Sequence, residues 1–276
     1  MNTKKVITSK QKRFNLELGE LVHYRDLFFL LAYRDYRVRY AQTFLGLFWA
    51  ILQPFATLVI FTIVFGKAAK VDTGGIPYPL FAVCGMAGWT FFAFVLSNSG
   101  NSILGAQQMI KKIYFPKLII PLSKAVVGFV DFTIALIFIL ITCVYFKFIP
   151  SSNIIFLPVF ILLTIISALT VGIWLSALTI RFRDFQHVVP FMVQFGLYAT
   201  PIAYPAELVT SSLNKWLSAI YYLNPMAGVV EGFRWCILGG DKPNDMMYVS
   251  IVVVLILFIS GLFYFKSVES KMADIV

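Results

Sequence analysis

The chain has 276 residues, of which 59% are hydrophobic and 13% are charged, and its formal net charge at pH 7 is +10. A typical soluble domain has about 25% charged and 45–50% apolar residues, so this composition excludes an ordinary soluble protein. A chain this apolar must concentrate its excess of basic residues in particular segments, and their distribution is therefore informative.

Six long apolar segments predict membrane-spanning helices, because crossing the hydrocarbon core takes about 20 apolar residues. The predicted spans cover residues 44–66, 78–99, 119–146, 155–180, 186–203 and 247–265. Asp131 is the only acidic residue well inside a predicted span, and it is interpreted either as a hydrogen-bonding partner of another helix or as part of a proton pathway. The expected fold is an all-α integral membrane protein with one domain over residues 1–276.

The Lys and Arg residues predict the orientation of these spans. If the N-terminus is cytoplasmic, seventeen of the 23 basic residues lie on the cytoplasmic side and six on the other side. Short cytoplasmic loops are enriched in Lys and Arg, so both termini are predicted to be cytoplasmic in a bacterial inner (plasma) membrane. Membrane orientation explains the charge without a nucleic-acid partner.

Residues 16–42 are helical in pattern but too charged to cross a membrane. One apolar face repeats at helical spacing and consists of Tyr24, Leu27, Phe28 and Leu31. This pattern predicts an amphipathic interface helix that lies among the lipid headgroups with its apolar face down. Arg34, Arg37 and Arg39 either anchor it to anionic lipid or bind a phosphate-bearing lipid, since a guanidinium group can contact two phosphate oxygens at once.

The segment 206–240 is too apolar for a solvated loop, yet it contains no stretch long enough to cross. It predicts two short re-entrant helices separated at Asn224 and Pro225, because proline disfavours a helical residue before it. Glu231 and Arg234 are three residues apart and are expected to pair on one helix face. Two interpretations remain, a gate on the outer side and a loop lying on the lipid surface.

The chain contains no phosphate-binding GxxxxGK[ST] loop, no HExxH metal motif and no GxSxG nucleophile motif. The sequence therefore predicts no catalytic residues, no metal site and no bound cofactor on this chain. Two rival classes are an ion-coupled transporter or channel and a membrane-embedded transferase. Sparse charge within the spans argues against ion coupling, and Asp131 alone is a poor basis for catalysis.

Several motifs, in order along residues 25–270, resemble the permease subunits of type-2 ABC exporters of lipid-linked polysaccharides, namely O-antigen, capsule and wall teichoic acid exporters. The resemblance rests on Arg34–Tyr40, Leu45–Trp49, Gln53–Pro54, Val64–Gly66, Pro77–Pro79, Gly88–Phe92, Ile110–Lys117, Arg181–Phe185, Pro201–Pro205 and Leu223–Met226. It implies that the substrate is a polyprenyl-diphosphate-linked polysaccharide whose diphosphate meets Arg34, Arg37 and Arg39.

The resemblance also implies a cytoplasmic coupling helix over residues 100–117, between the second and third spans. This segment would dock on a separate ATP-hydrolysing subunit, which binds the ATP and magnesium that drive transport. The residues expected at that contact are Ile103, Gln107, Ile110, Lys111, Lys112 and Ile113. A basic loop without a docking function would explain the lysines but not the helical pattern.

Six helices are too few to enclose a pore for a sugar polymer, so the expected assembly is a homodimer of this chain with two ATPase subunits. Membrane lipids and the glycan substrate complete the expected partners. Trp49, Trp89, Tyr198 and Tyr204 are candidates for the pore lining or gate, or else for the aromatic belts at the membrane surfaces. Asn224, Pro225, Glu231 and Arg234 are the expected outer gate. The remaining alternatives are teichoic acid, capsule or hydrophobic drug export, and an ion-coupled lipid flippase.

Overall fold

A computed structural model of the protein describes residues 18–41, 46, 48–269 and 272. All regular secondary structure in these residues is helical. Five of the helices in this described part are long and apolar enough to cross a membrane: Phe48–Ala68, Tyr78–Gly100, Ile119–Tyr145, Ser152–Arg181 and Met247–Glu269.

The helices follow one another with short connections. The first seven are α1 (Leu18–His23), α2 (Arg25–Tyr40), α3 (Phe48–Phe61, continued by a π-helix over Thr62–Ala68), α4 (Tyr78–Gly100), α5 (Ser102–Gly105), α6 (Gln107–Lys112) and α7 (Ile119–Tyr145). After a 3₁₀ turn over Ser152–Phe156 come α8 (Leu157–Arg181), α9 (Phe185–Ala199), α10 (Glu207–Thr210), α11 (Lys215–Tyr221), α12 (Pro225–Leu238) and α13 (Met247–Glu269).

The predicted span over residues 186–203 corresponds to α9, which has only 15 residues. At 1.5 Å per residue this helix is about 22 Å long, which is less than the roughly 30 Å of the hydrocarbon core. It ends at Ala199 because Thr200 is extended before Pro201. The structure thus supports five of the six predicted spans, and the fifth stays a prediction. Residues 42–45 and 47, at the start of the predicted first span, lie outside the described residues.

Helix α4 lies at the centre of the molecule, where it packs against α7, α8, α9 and α12. Its residues are apolar on all sides, as expected for a helix surrounded by other helices. Glycines allow α12 to approach its neighbours closely. A Cβ at Gly85 would lie 2.9 Å from Nη2 of Arg234, and a Cβ at Gly232 would overlap the Phe160 ring.

The segment of the predicted interface helix forms α1 and α2, and its place at the membrane surface stays a prediction. Residues 16, 17 and 42 lie outside the described residues. Its apolar face contains the predicted residues but packs on the protein rather than on lipid. Leu31 is buried, and Tyr24, Leu27 and Phe28 lie partly buried against the same cluster of apolar side chains from α5, α6, α7, α8 and α13. The side exposed on α1 and α2 is instead formed by Val22, Phe29, Leu30 and Tyr33.

The segment 100–117 differs from the single coupling helix that was expected. It contains two short helices, α5 and α6, which meet at Ala106, and Ile113 is extended before Phe115 and Pro116. Proline at position 116 disfavours helix in Phe115, so α6 cannot continue through that residue into α7.

The ends of the long helices form two groups. One group, here called the basic end, includes α5, α6 and the C-terminal end of α13, and the Lys117 amide donates to the Glu269 carboxylate there at 2.8 Å. The other group, here called the opposite end, includes α10, α11 and α12. At that end Tyr78 donates to the Ala203 carbonyl at 2.8 Å, and the Ser151 amide donates to the Ile237 carbonyl at 3.0 Å.

Candidate functional site

The three arginines of α2 have different surroundings. Arg39 is held by α7, because its Nη2 lies 2.5 Å from Oδ2 of Asp131. The Tyr40 hydroxyl donates to the other oxygen of the same carboxylate, and the Arg39 guanidinium lies 4.3 Å from the centre of the Phe94 ring. Asp131 is therefore a partner of another helix, which is one of the two interpretations of its position, and Arg39 neutralises its charge within the bundle.

Arg34 and Lys124 share one carboxylate. Arg34 donates to Oδ1 of Asp35 from Nη2 at 2.8 Å, and the Lys124 ammonium contacts Oδ2 of Asp35. A cavity of about 300 Å³ adjoins this group between α2, α4 and α7. Its polar lining consists of Arg34, Asp35, Ser97, Asn98, Asn101, Ser102, Ser123 and Lys124. The cavity thus carries one net positive charge and many hydrogen-bonding groups.

Arg37 is exposed, and no ion pair to it is formed within the described part of the chain. Its guanidinium lies 6.0 Å from the centre of the Tyr33 ring. Among the three predicted arginines, Arg37 thus keeps all of its donors available to a ligand at the membrane surface, whereas Arg39 uses Nη2 for Asp131 and Arg34 uses Nε and Nη2 for Asp35.

The six residues expected at the ATPase contact divide into two groups. Ile103 and Ile110 are only 1% and 6% exposed, because they pack into the apolar cluster beneath α2. Lys111, Lys112 and Ile113 are exposed, and Gln107 is partly exposed. Tyr114 is also exposed and extends this surface. The available contact surface therefore starts in α6 and continues along the extended residues that follow it.

The four candidate pore aromatics also have different surroundings. Trp89 is 5% exposed, and its ring packs against α9 so closely that a Cβ at Gly196 would lie 2.4 Å from it. Trp49 and Tyr198 are exposed, and Tyr204 is half-buried with its hydroxyl donating to the Tyr198 carbonyl at 2.9 Å. Trp89 is therefore a packing residue between helices in this structure.

An exposed aromatic face of α9 was missed by the sequence reasoning, apart from Tyr198. Phe191, Phe195 and Tyr198 are all exposed, and the first two rings lie 4.3 Å apart. Their spacing of four and then three residues places them on one helix face, so the spacing was the signal available in the sequence. Most of α3 is likewise exposed, including Trp49 and Phe55.

The predicted helix break in the outer segment is confirmed. Asn224 caps α12 by accepting from the Met226 amide at 3.0 Å, and Pro225 occupies the first helical position, where its missing amide hydrogen has no cost. The Asn224 amide also donates to the Thr200 hydroxyl at 2.8 Å. Asn224 thus ties the start of α12 to the end of α9.

The predicted pair of Glu231 and Arg234 is not formed. Glu231 accepts from the Tyr222 hydroxyl at 2.6 Å instead. Arg234 is buried and donates to the backbone carbonyls of Ile202, Tyr204 and Phe81 at 2.6, 3.3 and 3.4 Å, and it lies 3.5 Å from the centre of the Phe81 ring. Neighbouring carbonyls satisfy Arg234 because the loop after α9 passes directly beside it.

Burial changes the pKa of the Glu231 carboxyl group and of the Arg234 guanidinium group, which lie outside the five candidate spans. Burial raises the pKa of Glu231 to about 7, and the negative charge of Glu207 adds to this effect, while the Tyr222 hydrogen bond and Arg234 oppose it. Burial lowers the pKa of Arg234 to about 10, so Arg234 remains charged at neutral pH.

The chain resembles several characterised proteins over most of its length. It is 25% identical to the O-antigen export system permease protein RfbA of Myxococcus xanthus, over 88% of this chain and 94% of that protein. The RfbA permease of Klebsiella pneumoniae is 27% identical, over 91% of this chain and 95% of that protein. The polysialic acid transport protein KpsM of Escherichia coli is 23% identical, over 87% of this chain and 92% of that protein.

These relatives and the five apolar helices indicate a multi-pass protein of the inner membrane. Residues 26–238, from the second residue of α2 to the end of α12, match the family described as ABC-2 type transporter. The resemblance inferred from the motifs is thereby confirmed, and the chain belongs to the ABC-2 type transporter family.

Proposed function

We propose that this chain is the membrane-spanning subunit of an ATP-driven exporter that moves a polyprenyl-diphosphate-linked polysaccharide out of the cytoplasm. The observation that carries the proposal is the match to O-antigen export permeases along nearly the full length of both chains. This chain would need an energy source on another subunit, since its sequence has no phosphate-binding loop.

The substrate's diphosphate would reach the protein at the basic end. Arg37 is exposed and unpaired in the described part of the chain, and the polar cavity beside Arg34 and Lys124 opens nearby on α2. Guanidinium groups bind phosphate through paired hydrogen bonds. Arg34 and Arg37 are therefore the proposed contacts, while Arg39 is proposed to hold α2 on α7. The exposed apolar side of α1 and α2 would rest on lipid.

Two copies of the chain would form the pore, with two ATPase subunits bound at the basic end. The exposed faces of α3 and α9 are the proposed contact and lining surfaces, because they carry Trp49, Phe191, Phe195 and Tyr198. Lys111, Lys112 and Ile113 would contact the ATPase. ATP binding would then move α6 and, through the buried Ile110, the apolar cluster beneath α2.

The proposal is tested with the purified complex of this chain and its ATPase in lipid nanodiscs. Undecaprenyl-diphosphate-linked glycan is expected to raise ATP hydrolysis at least twofold, and a hydrolysis-deficient ATPase provides the background rate. Hydrophobic drugs are the matched alternative substrates. Stimulation by the drugs and not by the glycan would contradict polysaccharide export.

Capsule export is a second candidate, favoured by the similarity to the polysialic acid transport protein. The same assay distinguishes the two, because a lipid-linked polysialic acid would replace the O-antigen-type glycan as the stimulating substrate.

A further inference from the structure

A cavity of about 480 Å³ at the opposite end has no role in the function proposed above. It lies between the loop before α4, the segment after α9, α12 and the loop before α13. Its volume is within the range of about 300–1,000 Å³ that is usual for small-molecule sites. A ligand binds most tightly in such a cavity when the walls are rigid and the polar groups are available.

Arg234 makes the walls rigid. Its three donor nitrogens bond to carbonyls of α4 and of the loop after α9, and its guanidinium stacks on the Phe81 ring. The side chain therefore joins α12 to the two neighbouring walls and uses three of its five N–H groups in doing so. Arg234 organises the cavity rather than binding within it.

Trp235 provides an aromatic surface and a hydrogen-bond donor. One face of its ring stacks on Phe156, with the ring centres 5.4 Å apart, and the side chain lines the cavity while remaining partly exposed. Tryptophan combines a flat apolar face with an indole N–H. In the described residues no acceptor lies within hydrogen-bond distance of that N–H, so it is available to a ligand.

Carboxyl groups supply the acceptors. Glu231 lines the cavity, and its Oε1 atom accepts from Tyr222. Its buried Oε2 atom forms no hydrogen bond of normal geometry among the described residues, and the Asn244 backbone amide is the group that lies near this carboxyl group. Glu207 and Asp241 also line the cavity and form no ion pair in the described part of the chain. A buried unpaired oxygen is costly, and a ligand hydroxyl would remove that cost by donating to it.

The charge of the lining restricts the ligand. Asp72, Glu207, Glu231 and Asp241 contribute four carboxyl groups, whereas Arg234 and Lys242 are the basic side chains of the lining. The excess of carboxyl groups repels a negatively charged ligand. Aromatic stacking with several hydroxyl donors to carboxylates is the chemistry of an uncharged sugar ring.

We infer that this cavity is a sugar-binding subsite at the opposite end, where one or two uncharged sugar units of the exported glycan stack on Trp235 and donate hydroxyl hydrogens to Glu231. The inference rests on the proposed function, because it takes the bound glycan to be the transported one. It also deepens that function, since it favours a neutral glycan over a polyanionic one such as a polymer of sialic acid.

The test measures oligosaccharide binding to the complex of this chain and its ATPase in nanodiscs by ligand-observed NMR. Chitotriose and mannotriose are the uncharged probes, and trimeric sialic acid is the charged probe. Both Trp235→Leu and Glu231→Gln are expected to weaken binding of the better uncharged probe at least fivefold. Trp216→Leu is the matched control, because Trp216 is 83% exposed on α11 and does not line the cavity, and it is expected to leave binding unchanged.

Reversing the charge of two residues at the cavity rim provides a second test in case Trp235→Leu fails to fold. Glu207→Lys with Asp241→Lys changes only exposed residues of the cavity rim and is expected to tighten binding of trimeric sialic acid at least fivefold. Failure of both uncharged probes to bind the wild-type complex would overturn the inference, as would equal binding of the charged and uncharged probes.

The subsite and the export proposal fail separately. Cavity-dependent sugar binding without stimulation of ATP hydrolysis by lipid-linked glycan would retain the subsite and remove the export function. Stimulation by that glycan with sugar binding unaffected by Glu231→Gln would retain export and remove the subsite.

Discussion

At the scale of single residues, Arg37 and Arg39 are two positions apart on α2 and differ in whether they have an ion-pair partner. Arg37 is exposed and unpaired in the described residues, whereas Arg39 forms an ion pair with Asp131 about 18 Å along α7 from its first residue. The pattern of neighbouring residues in the sequence cannot distinguish these two roles, because Asp131 is 92 residues away from Arg39 in the chain. The structure therefore changes what each substitution is expected to do.

Replacing Arg37 by Ala is expected to reduce the amount of surface glycan severalfold, because it removes a group that donates hydrogen bonds to the substrate's diphosphate. The amount of assembled complex should stay unchanged, because Arg37 forms no ion pair within the described residues. Arg39→Ala should instead lower the free energy of unfolding by about 1 to 2 kcal/mol, between the values for exposed and fully buried ion pairs. Export assays and thermal unfolding in detergent measure the two effects.

The exchanged pair Arg39→Asp with Asp131→Arg provides the control for these substitutions. It should recover much of the stability lost in Arg39→Ala, since the ion pair is restored with its polarity reversed. Equal loss of stability in Arg37→Ala and Arg39→Ala would contradict the division of roles.

At the scale of elements, the segment between α4 and α7 combines a buried side with an exposed one. Ile103 and Ile110 are packed beneath α2, and Ile113 is 49% exposed in the extended part. A partner bound to the exposed side would thus act on the buried cluster through one short, packed segment. This arrangement suits the transmission of a movement better than a free loop would.

Ile113→Asp is expected to reduce co-purification of the ATPase at least tenfold, because a loss of about 1.4 kcal/mol suffices for that factor and a charge in an apolar contact costs more than this. Ile149→Asp is the matched control, since Ile149 is exposed at the opposite end. Ile110→Asp should instead destabilise the chain itself. An unchanged yield of ATPase with Ile113→Asp would place the contact elsewhere.

At the scale of the whole molecule, the basic residues predict that the basic end faces the cytoplasm. Cysteine labelling in spheroplasts with a membrane-impermeant maleimide tests this orientation, because Cys84, Cys143 and Cys236 are all buried and should react little. Ser211→Cys at the opposite end is expected to react in intact spheroplasts. Lys112→Cys at the basic end should react only after permeabilisation, and the reverse pattern would show that the predicted orientation is wrong.

Much of the architecture follows from the sequence, because it depends on local properties. Twenty-residue apolar segments identify five helices that the structure supports as candidate spans, and the proline at position 225 marks the start of α12. The ordered motifs identify the family, which residues 26–238 confirm. The fifth predicted span differs because Thr200 and Pro201 end α9 early.

The site depended on the tertiary structure, because its contacts join residues far apart in the chain. Only the packing of α2 on α7 separates Arg37 from Arg39, and only the cluster beneath α2 removes Ile103 and Ile110 from the partner surface. Glu231 and Arg234 have the spacing of an ion pair on one helix face, yet Arg234 donates instead to backbone carbonyls of the loop after α9. Sequence alone identified a membrane protein of this transporter family and predicted which side carries its basic residues, because both depend on local patterns, and the fold decided which side chains remain free to act.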